Sequence, residues 1–256
     1  MHTNLLVLSA GNSRLAIGAF VEGKLELVSR VPVDRRDDWQ TQIAAAWEQI
    51  AHLGDPQVVG ASVNPPVIEP LEHLVAQATS CAIRWVGREI DLPIKVATKS
   101  PQQTGVDRIL NMAAAYELMG QACVVVDAGT AVTVDCCNDR GDFLGGAIAP
   151  GVAMMLDALH QRIARLPRVE FAVPTGAFGE STESSILHGV YFGIHGMVRE
   201  LVENYATELG QWPPLIATGG NAQVLFEGWE LIHAVSPDLL LHGIALAYVD
   251  HQIEHE

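Results

Sequence analysis

VVVDAGTAVTVD, running from Val124 to Asp135, sets the architecture. The apolar run leading into it, Ala122 to Val126, reads as a buried strand, and Asp127-Ala128-Gly129-Thr130 reads as the turn that ends it. Val132 to Cys136 reads as the returning strand, and Phe143 to Ile148 as a third, joined through the polar turn Asn138-Asp139-Arg140-Gly141-Asp142. The same order opens the chain. Leu5 to Leu8 runs into Ser9-Ala10-Gly11-Asn12, and the strands Leu15 to Phe20 and Leu25 to Val31 follow, with Glu22-Gly23 as their hairpin turn. The repeat is one of structural order, not of residue identity.

Between these openings, Trp39 to Leu53 has helical spacing, with Ile43, Trp47, Ile50 and Ala51 on one stripe. Gln57 to Ala61 and Ile83 to Val86 read as strands, and Pro65 to Ala78 as a helix. Residues 87 to 104 read as a connector, followed by a helix from about Asp107 to Met119. Further helices are expected at Val152 to Arg165, Ser184 to Leu209 and Leu239 to about Gln252, with a strand at Leu215 to Ala217. The fold class is therefore α/β: a duplicated mixed sheet flanked by helices, its two halves facing each other across a cleft. The boundary is expected near residue 118, giving domains 1–118 and 119–256.

Composition narrows the function. The chain has 256 residues, 49% of them apolar, which is enough for a sizeable core and argues against disorder. Its formal charge of −15 repels nucleic-acid backbones, so no nucleic-acid role is expected. It also means that a phosphorylated ligand must be held by backbone N–H groups, a metal ion or a few placed bases. No signal peptide or membrane span is expected. Cys81, Cys123, Cys136 and Cys137 show no CxxC spacing and read as reduced, mostly buried thiols in a cytoplasmic protein. Trp39, Trp47 and Trp85 read as packing residues.

Five short segments carry the chemistry. Ser9-Ala10-Gly11-Asn12-Ser13 can wrap phosphate oxygens or be an ordinary hairpin turn. Asp127-Ala128-Gly129-Thr130 offers a carboxylate for a cation, with Gly129 and Thr130 for phosphates. Gly105-Val106-Asp107-Arg108 opens a helix. Asp107 is either its N-cap or a general base toward an alcohol, and Arg108 can hold an anion. In Gly179-Glu180-Ser181-Thr182, Thr182 and the following Ser184 are helix-capping types that can also touch a ligand. Thr218-Gly219-Gly220-Asn221-Ala222 is a strand-to-helix turn that can seat a ring or ribose. No GxxxxGK[ST] loop is present. His251 and His255 stand four apart, a metal-compatible spacing, although a solvated helix end is the blander reading.

In this order and spacing the segments resemble the type III pantothenate kinases. GVDRILNMAAAY (Gly105 to Tyr116), VVVDAGTAVTVD, FLGGAIAPGV (Phe143 to Val152) and ATGGNA (Ala217 to Ala222) carry the likeness, which covers essentially the whole chain. That family belongs to the actin/sugar-kinase superfamily, whose two ribonuclease-H-like domains close on ATP. The resemblance implies ATP-dependent phosphorylation of pantothenate to 4'-phosphopantothenate in coenzyme A biosynthesis, with Mg²⁺ and a monovalent cation (K⁺ or NH₄⁺). It implies that Ser9, Ala10, Gly11, Asn12, Ser13, Arg14, Leu15, Ala16 and Thr130 contact ATP, and that Asp127 holds the monovalent cation. Gly105, Val106, Asp107, Arg108 and Thr182 would bind pantothenate, with Asp107 as proton acceptor. It implies a homodimer in which the partner completes the substrate site.

The chain departs from the family pattern twice. Ser9 stands where the family's first motif begins with Asp, and Thr98, three residues before Pro101, stands where many members carry Tyr. Ser9 motivates a second reading, a homologue that binds nucleotide or pantothenate without turnover and acts as a regulatory accessory protein.

Overall fold

Strand β1 (Leu5–Ala10) is buried along its whole length because it lies mid-sheet. A strand covered on both faces has no polar side to present, and its sequence LLVLSA is accordingly almost continuous in apolar character. In the computed structural model, which describes residues 3–255, β1 pairs antiparallel with β2 (Arg14–Val21) and parallel with β4 (Gln57–Ser62). β3 (Lys24–Pro32) and β5 (Arg84–Trp85) complete a sheet of order β3-β2-β1-β4-β5. Glu22 and Gly23 both have positive φ, +50° and +82°, the conformation that a tight two-residue hairpin turn requires.

A second sheet repeats this plan strand for strand. β6 (Val124–Ala128) takes the place of β1, followed by β7 (Ala131–Cys137), β8 (Phe143–Pro150), β9 (Leu215–Thr218) and β10 (Ala234–Val235). Its order is β10-β9-β6-β7-β8, and as in the first sheet two antiparallel pairs lie on one side of the central strand and two parallel pairs on the other. Even the register irregularity recurs at the sixth residue of the second strand, Ala19 in one sheet and Cys136 in the other. The duplicated mixed sheet expected from the sequence is present.

Helices cover both sheets. α1 (Arg36–Glu48), with Asp37 and Asp38 complementing its N-terminal dipole, and α2 (Ile68–Thr79) cover one face of the first sheet. Trp39 and Trp85 are buried there, and Trp47 packs against them. On the other face, α3 (Val106–Met119) and α7 (Leu239–His255) bring Leu110, Leu241 and Ile244 against Leu5, Val7 and Phe20. Gly243 lies directly on the backbone of Leu110, closer than any side chain would allow. In the second sheet, α4 (Val152–Arg162), the long α5 (Thr182–Leu209) and α6 (Ala222–Phe226) build the corresponding core.

The contacts group the chain into two units, and their boundary differs from a single cut near residue 118. The first unit holds the chain up to Lys95, Lys99–Ala114 and everything from Leu239 onward; the second holds Val96–Thr98 and Ala115–Asp238. The C-terminal helix returns to the first unit because its apolar stripe is buried on the first sheet. The expected connector is also partly ordered, since Val96 bridges to Phe143 of β8 and the Ala97 N–H donates to the Phe143 carbonyl at 2.8 Å. None of the four cysteines forms a disulfide, and Cys123, Cys136 and Cys137 are buried, with the Cys123 and Cys137 sulfurs 3.5 Å apart. Among the described residues no helix is long and apolar enough to cross a membrane.

Candidate functional site

In the first unit, β1 and β4 run parallel, so their carboxyl ends deliver two loops side by side. The turn after β1 is tight: the Gly11 N–H donates to the Arg14 carbonyl at 3.0 Å, and a Cβ at Gly11 would press on that oxygen at 3.2 Å. The loop after β4 braces it. Asn64 Nδ2 donates to the Gly11 carbonyl at 3.1 Å, and Ser62 Oγ donates to the Ala10 carbonyl at 3.3 Å. These braces were not singled out from the sequence, and the only signal for them was Ser62-Val63-Asn64 at a strand end. Asn12, Ser13 and Arg14 are exposed, while Ser9 is buried at 7% exposure. Leu15 points into the core, so its side chain is packing and only its backbone is available to a ligand.

Asp107 lies in the first turn of α3, one residue past the helix start at Val106, so it is not the N-cap. Its Oδ1 accepts the backbone N–H of the adjacent Arg108 at 2.9 Å, and its charge still complements the helix dipole. Gly105 sits against this carboxylate: a Cβ there would lie 2.6 Å from Oδ1. Burial pushes the Asp107 carboxyl above the usual carboxylate value, against the opposing pull of the Arg108 N–H and the Arg108 charge. The result is a partly buried, more basic carboxylate at a helix start, the character a proton acceptor needs.

The second unit repeats the two-loop arrangement. Asp127 is the next-to-last residue of β6 and Thr218 the last of β9, and the two are register partners in a parallel pair. The Asp127–Thr130 and Thr218–Asn221 turns are therefore neighbours by topology, which no spacing along the chain reveals. The Asn221 N–H donates to the Ala128 carbonyl at 2.9 Å, tying them together. Gly219, at φ +94°, lies so close to Asp127 Oδ1 and the Ala128 backbone that a Cβ could not fit. Gly151 is pressed in the same way on the carbonyls of Gly129 and Thr130, and its N–H donates to the Thr130 carbonyl at 3.1 Å. Thr130 itself is exposed. Asp127 is half-buried. A carboxylate oxygen is the kind of ligand a hard cation such as potassium or magnesium takes.

Thr182 is the first residue of α5, not its cap. The cap is Ser181, whose Oγ accepts the Ser184 N–H at 3.1 Å while Ser184 Oγ accepts the Ser181 N–H at 2.9 Å. Thr182 is thereby left exposed on the rim of a hollow of about 1200 Å³, lined largely by apolar side chains of α4 and α5 such as Met155, Leu159 and Ile186. Thr98, where the family resemblance expects Tyr, approaches Gly145 of β8.

Comparison with known proteins gives the chain's family. The profile of the family described as type III pantothenate kinase matches residues 5–204. A type III pantothenate kinase of Dehalococcoides mccartyi is 35% identical over 97% of this chain and 98% of its own. One of Bacillus cytotoxicus is 33% identical over 98% of both. Among solved structures, a protein of Campylobacter jejuni described as a Baf family transcriptional activator superposes with a TM-score of 0.63 at 22% identity, covering 97% of this chain and 99% of that one. MreB 5 of Spiroplasma citri bound to AMPPNP gives 0.53 at 12% identity, over 100% and 99%. At such identities these two structures speak to the fold alone, the duplicated mixed sheet flanked by helices.

Proposed function

The chain belongs to the type III pantothenate kinase family, and we propose that it transfers the γ-phosphoryl group of ATP to the hydroxyl of pantothenate with Asp107 as proton acceptor. The observation that carries this is the Asp107 carboxylate, made more basic by burial and given its place by Gly105. A primary alcohol is a weak nucleophile at neutral pH. As its oxygen bonds to the γ-phosphorus, the bond from phosphorus to the bridging oxygen breaks, ADP leaves, and the alcohol proton passes to Asp107. Arg108, next along the helix, suits the carboxylate of pantothenate.

The remaining demand is charge neutralisation. In a chain of net charge −15 without a lysine-bearing phosphate loop, it falls to backbone donors and cations. The Gly11 and Gly129 N–H groups close their own turns, so the exposed residues Asn12, Ser13 and Thr130 of those turns would offer such donors, and Thr218-Gly219-Gly220 would offer a glycine surface for the nucleoside. Asp127 and the carbonyls of its turn would hold a monovalent cation. That cation, together with a magnesium ion on the phosphates, would supply positive charge to the transferring group. Thr182 would contact pantothenate. A homodimer is part of this reading, supported by exposed apolar Ile148, Met154 and Phe178 in the second unit, and size-exclusion chromatography tests it. A cytoplasmic site of action suits cysteines that form no disulfide.

The deciding assay is ATP-dependent phosphorylation of pantothenate with magnesium and potassium, for the unmodified protein beside Ser9→Asp. Turnover by the unmodified protein is the expected result. Turnover only in Ser9→Asp would mark a lapsed enzyme, and turnover in neither would favour the regulatory reading.

A further inference from the structure

We propose that Asp91, His251 and His255, away from the residues assigned to catalysis, form a binding site for a divalent transition metal, with Zn²⁺ as the best match. All three belong to the first unit, His251 and His255 on the last turns of α7 and Asp91 on the segment just after the Val86–Ile90 bridge. One ligand atom from each lies within 4.8 Å of the other two. The imidazole rings lie 4.1 Å apart, centre to centre, as an i, i+4 pair on one helix face.

Three features point to a metal instead of a solvated helix end. His251 is not solvated: its side chain is 13% exposed, and its Nδ1 is buried without a hydrogen-bond partner. A buried polar atom left in that state is costly, so its position needs a reason. The same Nδ1 stands 3.4 Å from Asp91 Oδ2. Two ligands on one tetrahedral zinc ion, each at about 2.0–2.1 Å, stand roughly 3.3–3.4 Å apart. His255 is prepared in the way metal-bound imidazoles are. Its Nδ1 donates to the His251 carbonyl at 2.8 Å, which places the lone pair on Nε2.

The surroundings agree. Asp250 and Glu254 line the same hollow, of about 160 Å³, and add negative potential. Asp91 follows Ile90, which is buried in the core at 1% exposure. Two imidazoles and a carboxylate favour zinc, nickel or cobalt over magnesium or calcium, and leave a fourth position for water. A bound ion would clip the end of α7 to the segment after β5 within the same unit.

The test is calorimetric titration of the chelator-treated full-length protein with Zn²⁺ alone, beside His255→Gln and Asp91→Asn. Both altered residues are exposed, so the variants keep the fold. One tight equivalent is expected in the parent, weakened at least tenfold in either variant. Zn²⁺ is also expected to raise the thermal unfolding midpoint of the parent and not that of His255→Gln. No tight equivalent in the parent, or equal affinity in parent and variants, would overturn the site and leave only a close approach of His251 to Asp91. Kinase turnover is a separate readout, and its outcome does not bear on the metal site.

Discussion

A methyl group on Gly105 would lie 2.6 Å from Oδ1 of Asp107, so the glycine is what leaves the carboxylate its place. Gly219 stands in the same relation to Asp127 in the second unit. Each proposed functional carboxylate is thus fixed by a residue that contributes only the absence of a side chain.

The first prediction concerns that absence. Gly105→Ala must push the Asp107 carboxylate aside. Displacement of a reacting group by about an ångström costs roughly a hundredfold in rate. We expect a fall in kcat of about that size, with little change in the thermal unfolding midpoint. Steady-state kinetics beside a melting curve checks it, and an unaltered kcat would separate Gly105 from Asp107 function.

Asp107→Asn separates chemistry from stability. Without a proton acceptor, turnover should be lost while nucleotide binding persists. Because burial raises the Asp107 pKa, ionised Asp107 opposes folding at neutral pH. The folded state holds its proton more tightly than the unfolded chain. This contribution to stability therefore grows as pH falls through the raised folded value toward the ordinary carboxylate value. Asn removes the penalty, so the variant should be at least as stable as the parent at pH 7, and denaturant titration measures this. For the same reason the acid limb of kcat/KM should lie above the range of an ordinary carboxylate.

Gly219→Ala meets both a positive φ of +94° and a collision with Asp127 and Ala128. Strain of this kind costs about 1–3 kcal/mol. We expect a loss of that order in unfolding free energy, together with weaker nucleotide binding measured by calorimetry. Parent-like affinity would argue against a ligand role for the Thr218–Asn221 turn.

Leu15 and Arg14 are neighbours in the proposed phosphate-binding segment but differ in burial, 0% exposure for Leu15 against an exposed Arg14. Leu15→Ala should cost about 2–5 kcal/mol in stability through the cavity it leaves. Arg14→Ala should cost under about 0.5 kcal/mol, so any effect it has should appear in ATP binding. Urea titrations of the two variants make the comparison.

The sequence by itself determined the elements and their duplication. Apolar runs such as Val124 to Val126 and turn chemistry such as Glu22-Gly23 act over a few residues, so their signal is local. The candidate segments stand out for the same reason, while their roles, and the departure at Ser9, come from the family resemblance. What tertiary structure decided is every relation between distant segments. Parallel pairing of β6 with β9 sets Asp127 beside Thr218, and pairing of β1 with β4 sets Asn64 beneath Gly11. Burial of one stripe of α7 returns the C-terminus to the first sheet, and with it carries His251 and His255 to Asp91. Periodicity shows that a face will be buried, but only packing selects its partner, because the hydrophobic effect carries no direction of its own.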